Sequence, residues 1–308
     1  SFTDWHDVRK QFGVDSIDTT GAAQSKWLNR AYDKDFTATS AISDESVAMT
    51  KYFGFSAADA DWEAYAQSTD GAVLVLRMDD GADFDTFAKN LKARGYKEPK
   101  SDDGVWNGGP DLLSTIDPEL SPELQYVTLL RKKHLVVTSD KLAYAGEAAK
   151  VADGHGDTLA GKVGNTTDLA GKTDHPIAAV LWSRDFACSD LAMTHASAAD
   201  QKRADQLIAA AGKTSALSGL MMSMNAAGVV TVAEQFESGS QARENLRARA
   251  KLAVGPAVGR GEDTFGSDYT LTSSRTKGST VLLTMKPHDR SQFPLSSIYD
   301  GAVIFATC

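Results

Sequence analysis

Trp62-Glu63-Ala64-Tyr65-Ala66-Gln67, then Asp70-Gly71, then Ala72-Val73-Leu74-Val75-Leu76 is the stretch on which the fold turns. The first run alternates with period two, as a half-buried strand does. Asp-Gly accepts the positive φ of a tight turn, so the whole stretch reads as a β-hairpin. Downstream, Phe84, Phe87, Ala88 and Leu91 fall on one helical face over residues 83–94, with Gly95 as the stop. The acids Asp79, Asp80, Asp83 and Asp85 stand where a helix N-terminus favours negative charge. A short strand at Val105-Trp106 follows. A second hairpin runs over residues 125–138, with Arg131-Lys132-Lys133 at its tip. Ser139 caps a helix carrying Leu142, Ala145, Ala149 and Val151.

Upstream, the first 60 residues read as helical and irregular. Trp5, Val8 and Phe12 follow Thr3 or Asp4 as N-cap and precede Gly13. Trp27, Leu28 and Ala31 mark a second helix, and Val47 and Met49 a third that begins near Ser43 and ends near Gly54.

Residues 153–174 are rich in Gly, Asp and Thr and read as a connector with one helical turn near Leu159. A similar order of elements then returns. Residues 177–182 form a strand, and 197–211 a helix closed by Gly212. A hairpin spans 217–236 across Asn225-Ala226-Ala227-Gly228. Ser238 with Gln241 resembles a capping box for a helix carrying Ala242, Leu246, Ala250 and Ala253. Two further strands pair across Lys277-Gly278, and 301–305 reads as a last strand. The expected fold is therefore α+β: two ferredoxin-like units (strand-helix-hairpin-helix) with mainly antiparallel sheets, preceded by a helical N-terminal segment. The expected boundaries are 1–60, 61–152, a connector at 153–174, and 175–308. The repetition lies in the order of elements, not in matching residues.

Composition bounds the function. A chain of 308 residues with 42% hydrophobic and 24% charged residues is that of a soluble globular protein of about two domains. A net charge of −9 argues against nucleic acid and against adsorption to an anionic membrane. No apolar run is long enough to span a bilayer. Ser1-Phe2-Thr3-Asp4-Trp5 has no basic region and no apolar core, so the expectation is a mature or trimmed form rather than a signal peptide.

The two cysteines, Cys188 and Cys308, read as a disulfide that ties down the C-terminal residue. The competing reading is two small buried hydrophobes. The histidines His6, His134, His155, His175, His195 and His288 lack the spacing of a helical zinc site. Asp153-Gly154-His155-Gly156-Asp157 reads as a polar linker, and the acids from Asp79 to Asp85 as helix capping rather than a calcium loop. There is no G-x-S-x-G elbow, and the glycines at 255, 259 and 261 follow a helix rather than a strand. No catalytic residue, metal or cofactor is expected. Met221, Met222 and Met224 suit an adaptable apolar pocket or an ordinary core. Arg243 and Arg247, with Arg249 and Lys251, suit an anionic headgroup or partner, or a solvated helix face.

The phrase Tyr52-Phe53-Gly54-Phe55-Ser56-Ala57-Ala58-Asp59-Ala60-Asp61-Trp62-Glu63, the run Asp185-Phe186-Ala187-Cys188 and the end Val303-Ile304-Phe305-Ala306-Thr307-Cys308 resemble uncharacterised exported proteins and lipoproteins of actinobacteria, including mycobacterial relatives. The resemblance implies an exported, extracytoplasmic protein, membrane-anchored through a segment outside this sequence, with its cysteines paired. The expected function is non-enzymatic: binding a lipid, a glycolipid or another amphiphile, or an envelope membrane protein. The alternatives are a hydrolase whose site gathers dispersed loop residues, and a structural scaffold ectodomain.

Overall fold

The computed structural model describes the chain except residues 15–20, 159–163, 174, 184–185, 190–195, 213, 259–262, 290–292, 298–302 and 307. His195, Asp185, Leu159 and the glycines at 259 and 261 therefore lie outside the described residues. The chain divides into two compact units. The first is Ser1–Tyr32 with Ser40–Thr158, the second Asp33–Thr39 with Leu159–Cys308.

In the first unit, β1 (Phe2–Thr3) leads into helix α1 (Trp5–Gln11), then α2 (Gly21–Tyr32) and α3 (Ser46–Phe53). Asp4 caps α1 by accepting the amide of Asp7 at 2.8 Å. The hairpin that opened the reading is present as β2 (Ala60–Ser68) and β3 (Gly71–Met78). Its turn falls one residue earlier than Asp-Gly suggests, because Ser68 pairs with Gly71. Gly71 has φ of +146°, and a Cβ there would lie 2.8 Å from an Asp140 carboxylate oxygen that accepts the neighbouring Ala72 amide. Only glycine permits that approach.

Helix α4 (Phe84–Ala93) follows, capped by Asp83 through the amides of Asp85 and Thr86. Then come β4 (Val105–Asn107), α5 (Pro110–Ile116), the hairpin of β5 (Tyr126–Leu130) and β6 (Leu135–Ser139), and α6 (Leu142–Ala152). Trp62, Val73, Val75, Val137 and Tyr144 cluster beneath α6. Phe53, Phe55, Phe84, Phe87 and Tyr96 form a run of ring contacts with centroids 5.2–5.9 Å apart.

In the second unit, β7 (Ala178–Ser183) is followed by a helical turn over Phe186–Ser189 and by α7 (Ala198–Ala211). Next come β8 (Gly219–Met224), β9 (Val230–Gln235), α8 (Gly239–Leu252), β10 (Tyr269–Lys277) and β11 (Thr280–Pro287). Ser238 accepts the Gln241 amide at 3.2 Å, and the Gln241 side chain returns to the amide of Glu237, one residue before the cap. Residues 304–306 form a 3-10 turn rather than the expected last strand. Asp35 has φ of +61° and is buried. It accepts the amides of Leu295 and Ser296 and the Ser296 hydroxyl, which ties Asp33–Thr39 into this unit.

The expectation of two ferredoxin-like units is wrong. The strands run in the order β1-β2-β3-β6-β5-β4 in the first unit and β10-β11-β9-β8-β7 in the second, each a continuous sheet, and the described pairings are antiparallel. A ferredoxin-like unit needs helical crossovers that set its central strands parallel. Here the strands flanking α7, β7 and β8, are direct antiparallel neighbours. Helix α7 is an excursion between neighbouring strands, whereas α4 and α8 join strands that are not neighbours, β3 to β4 and β9 to β10, and a linear order of elements cannot distinguish the two cases.

Candidate functional site

Register separates the two faces of the second unit's strands. Trp182, Leu220, Glu234 and Val281 lie across from one another on adjacent strands, so they share a face with Met222 and Met224. Helix α8 covers this face with Ala242, Asn245, Ala248, Arg249 and Leu252. Glu234 and Arg249 are both fully buried, with Glu234 Oε2 3.7 Å from Arg249 Nε. Arg249 also donates to the carbonyls of Phe305 and Ser215, each at 3.0 Å. Burial raises the Glu234 carboxyl to about 7, against the pull of Arg249. The same burial lowers the guanidinium, which Glu234 opposes.

The chain's last residues are held here twice. Cys188, in the turn after β7, forms a disulfide with Cys308, their Cα atoms 5.5 Å apart. The Leu217 amide lies 3.4 Å from Cys308 Sγ.

The opposite face differs in kind. Ala179, Met221, Ala233 and Leu282 form an apolar strip beneath Leu169, with half-buried Leu181 packed against it. Leu169 comes from a 3-10 segment over Gly164–Lys172 that packs on β8 and β9. Thr231 and Thr284, on the same face, are half-buried. At the β10–β11 end the face turns basic. Arg275 stands across from Leu282, Lys277 from Thr280, and Lys286 from Thr270. Lys172 donates to the Thr280 hydroxyl at 2.8 Å. Its ammonium is lowered by burial, with Asp168 opposing and Lys277 reinforcing the shift. Glu234 is the sole carboxylate among the residues of β7 to β11, and it points to the other face.

The methionines of β8 therefore do not form one pocket. Met221 belongs to the buried cluster beneath Leu169, whereas Met222 and Met224 belong to the core beneath α8 on the other face. Arg243 and Arg247 are exposed on α8, away from the buried stripe, and join neither Met221 nor each other in a site. Arg249 of the same basic run lies in the core.

The first unit holds a second buried carboxyl. Glu63 on β2 accepts the Trp5 indole at 2.9 Å, the Ser40 hydroxyl at 3.0 Å and the Ala41 amide at 2.7 Å. Burial raises it to about 7 in spite of these donors. The donors account for its oxygens, so it serves as a tie among α1, β2 and residues 40–41 rather than as a reactive group. Sequence reasoning missed Glu63 and the Glu234–Arg249 pair. The one available signal was a lone acid in an otherwise apolar strand, as in Val230-Thr231-Val232-Ala233-Glu234.

Among the described residues no group of three or more His, Cys, Asp and Glu side chains is placed to hold a metal ion. No helix among them is long and apolar enough to cross a membrane. No family model, curated protein or solved structure matched this chain.

Proposed function

We propose that this chain is an extracytoplasmic, non-enzymatic binding protein whose second unit receives an amphiphilic molecule on the sheet face bearing Met221. The observation that carries the reading is the buried apolar strip of Ala179, Met221, Ala233 and Leu282, which the Gly164–Lys172 segment covers through Leu169, with half-buried Leu181 at its margin. An apolar chain would enter between this strip and the segment that covers it, where methionine adapts to an irregular apolar surface. The whole-chain acidity does not oppose this. Of the 41 Asp and Glu, 25 lie in the first unit and 16 in the second, while each unit holds 16 of the 32 Lys and Arg. The second unit is thus electrically balanced. The disulfide supports placement in an oxidising compartment, where such bonds persist.

The methionines supply the test. Protein carrying ¹³C-methyl methionine is titrated with monooleoylglycerol, an uncharged single-chain amphiphile. The Met221 methyl resonance should move, while Met222 and Met224 beneath α8 should not. An unmoved Met221 at saturating amphiphile overturns the reading.

A further inference from the structure

We propose that Thr270 is an acyl-acceptor site: its hydroxyl, with His288 as base, takes the acyl group of an activated carboxylic ester. The inference goes beyond the binding reading and does not depend on the Met221 face. Thr270 is the second residue of β10, and His288 directly follows β11. Both are exposed. The two ring nitrogens of His288 have different partners. Nδ1 lies 2.9 Å from the Ser267 carbonyl oxygen, and Nε2 lies 2.8 Å from Thr270 Oγ1. A carbonyl oxygen only accepts, so Nδ1 carries the proton. The neutral ring therefore presents a bare Nε2, which accepts from the Thr270 hydroxyl. A hydroxyl, a base and a third group that orients the base are the parts of an activated nucleophile.

The orienting carbonyl is itself held in place. Ser267 lies in a helical turn over Phe265–Asp268, where Thr264 and Ser267 cap each other reciprocally. Lys286 stands directly across the ladder from Thr270, so the two side chains share a face. An ammonium there opposes the negative charge that develops on an attacked carbonyl oxygen. A threonine–histidine hydrogen bond at a strand end has an ordinary use, which is to fasten a strand to its neighbour. Here the His288 amide already does so by donating to the Asp268 carbonyl at 2.9 Å. The two bonds of the ring are additional to that tie.

In the transfer, Thr270 Oγ1 attacks the ester carbonyl carbon as its proton passes to His288 Nε2. The bond from that carbon to the leaving oxygen then breaks, and the leaving group takes the proton from Nε2. The products are a threonyl ester and a free alcohol or phenol, with no change of oxidation state.

The test treats the full chain with p-nitrophenyl acetate. Release of p-nitrophenolate should begin with a burst, and peptide mass spectrometry after an acid quench should place an acetyl group on Thr270. His288→Gln should slow that acetylation at least about a hundredfold, the lower end of what a positioned base contributes. Acetylation of surface lysines should be unchanged in the same sample. Thr270→Val should abolish the burst and Thr270→Ser should retain it, with hydrogen exchange in β10 and β11 unaltered in both. Acetyl groups on lysines alone overturn the proposal. So does acetylation of Thr270 at the same rate in His288→Gln, which would make the ring a structural tie.

Discussion

The two units share a vocabulary of hairpins and helices but hold themselves together differently. The first buries Trp5, Trp27, Phe53, Phe55, Phe84, Phe87, Tyr96 and Trp106, and its fully buried Glu63 is hydrogen-bonded by three donors. The second also buries aromatics, Phe36, Phe236, Phe265, Tyr269 and Phe305, but packs four methionines, Met221, Met222, Met224 and Met285, beside them and adds a disulfide and a buried ion pair. Aromatic rings bury large areas and lock through edge contacts. Small and flexible side chains fill space with less specificity, so cross-links and paired charges matter more to the second unit.

The sharpest way to break this comparison is Arg249→Met. It leaves Glu234 buried beside no cation and frees the carbonyls of Phe305 and Ser215. The expected loss is about 3–5 kcal/mol. Hydrogen exchange should show it in β8 to β11, with β2, β3, β5 and β6 unchanged. A uniform loss would mean that the two units do not differ in this way. Adding Glu234→Gln to the same chain should restore part of the stability.

Next in size is the disulfide, which closes a loop over a sequence separation of 120. Changing Cys188 and Cys308 to serine should cost about 2–5 kcal/mol. The loss should again be confined to the second unit, read by the same exchange experiment. Unfolding of both units in a single step would erase the distinction.

The smallest effect concerns pH and should appear in both units. Burial raises Glu63 and Glu234 to about 7, whereas an unfolded glutamate titrates near 4.3. Between these values the folded state holds the proton and the unfolded state does not, so stability falls as pH rises from about 4.5 to 7 and levels off above. Each carboxyl contributes at most about 4 kcal/mol to that fall. Asp35 and Asp59, raised by burial to about 6, add to the same fall, so Glu63→Gln should reduce the slope measured by urea titration across this range without abolishing it. An unchanged slope would show that Glu63 titrates normally.

Local features of the chain were legible because they depend on neighbours in sequence. The period-two runs of β2 and β3, the Asp83 and Ser238 caps, and the basic tip between β5 and β6 follow from propensity and from hydrogen bonds spanning three or four residues. The cysteine pairing was legible for a simpler reason: two cysteines leave one partner each. The arrangement of strands was not, because whether a helix crosses over a sheet or merely interrupts a meander is decided by packing far along the chain. The same holds for the candidate site. Met221 looks like Met222 and Met224 in sequence, and Arg249 looks like Arg247. Only the pairing of β8 with β9 and the seating of α8 place Met221 beneath Leu169 and Arg249 in the core of the other face, since a shift of one residue in a strand reverses the face each side chain meets.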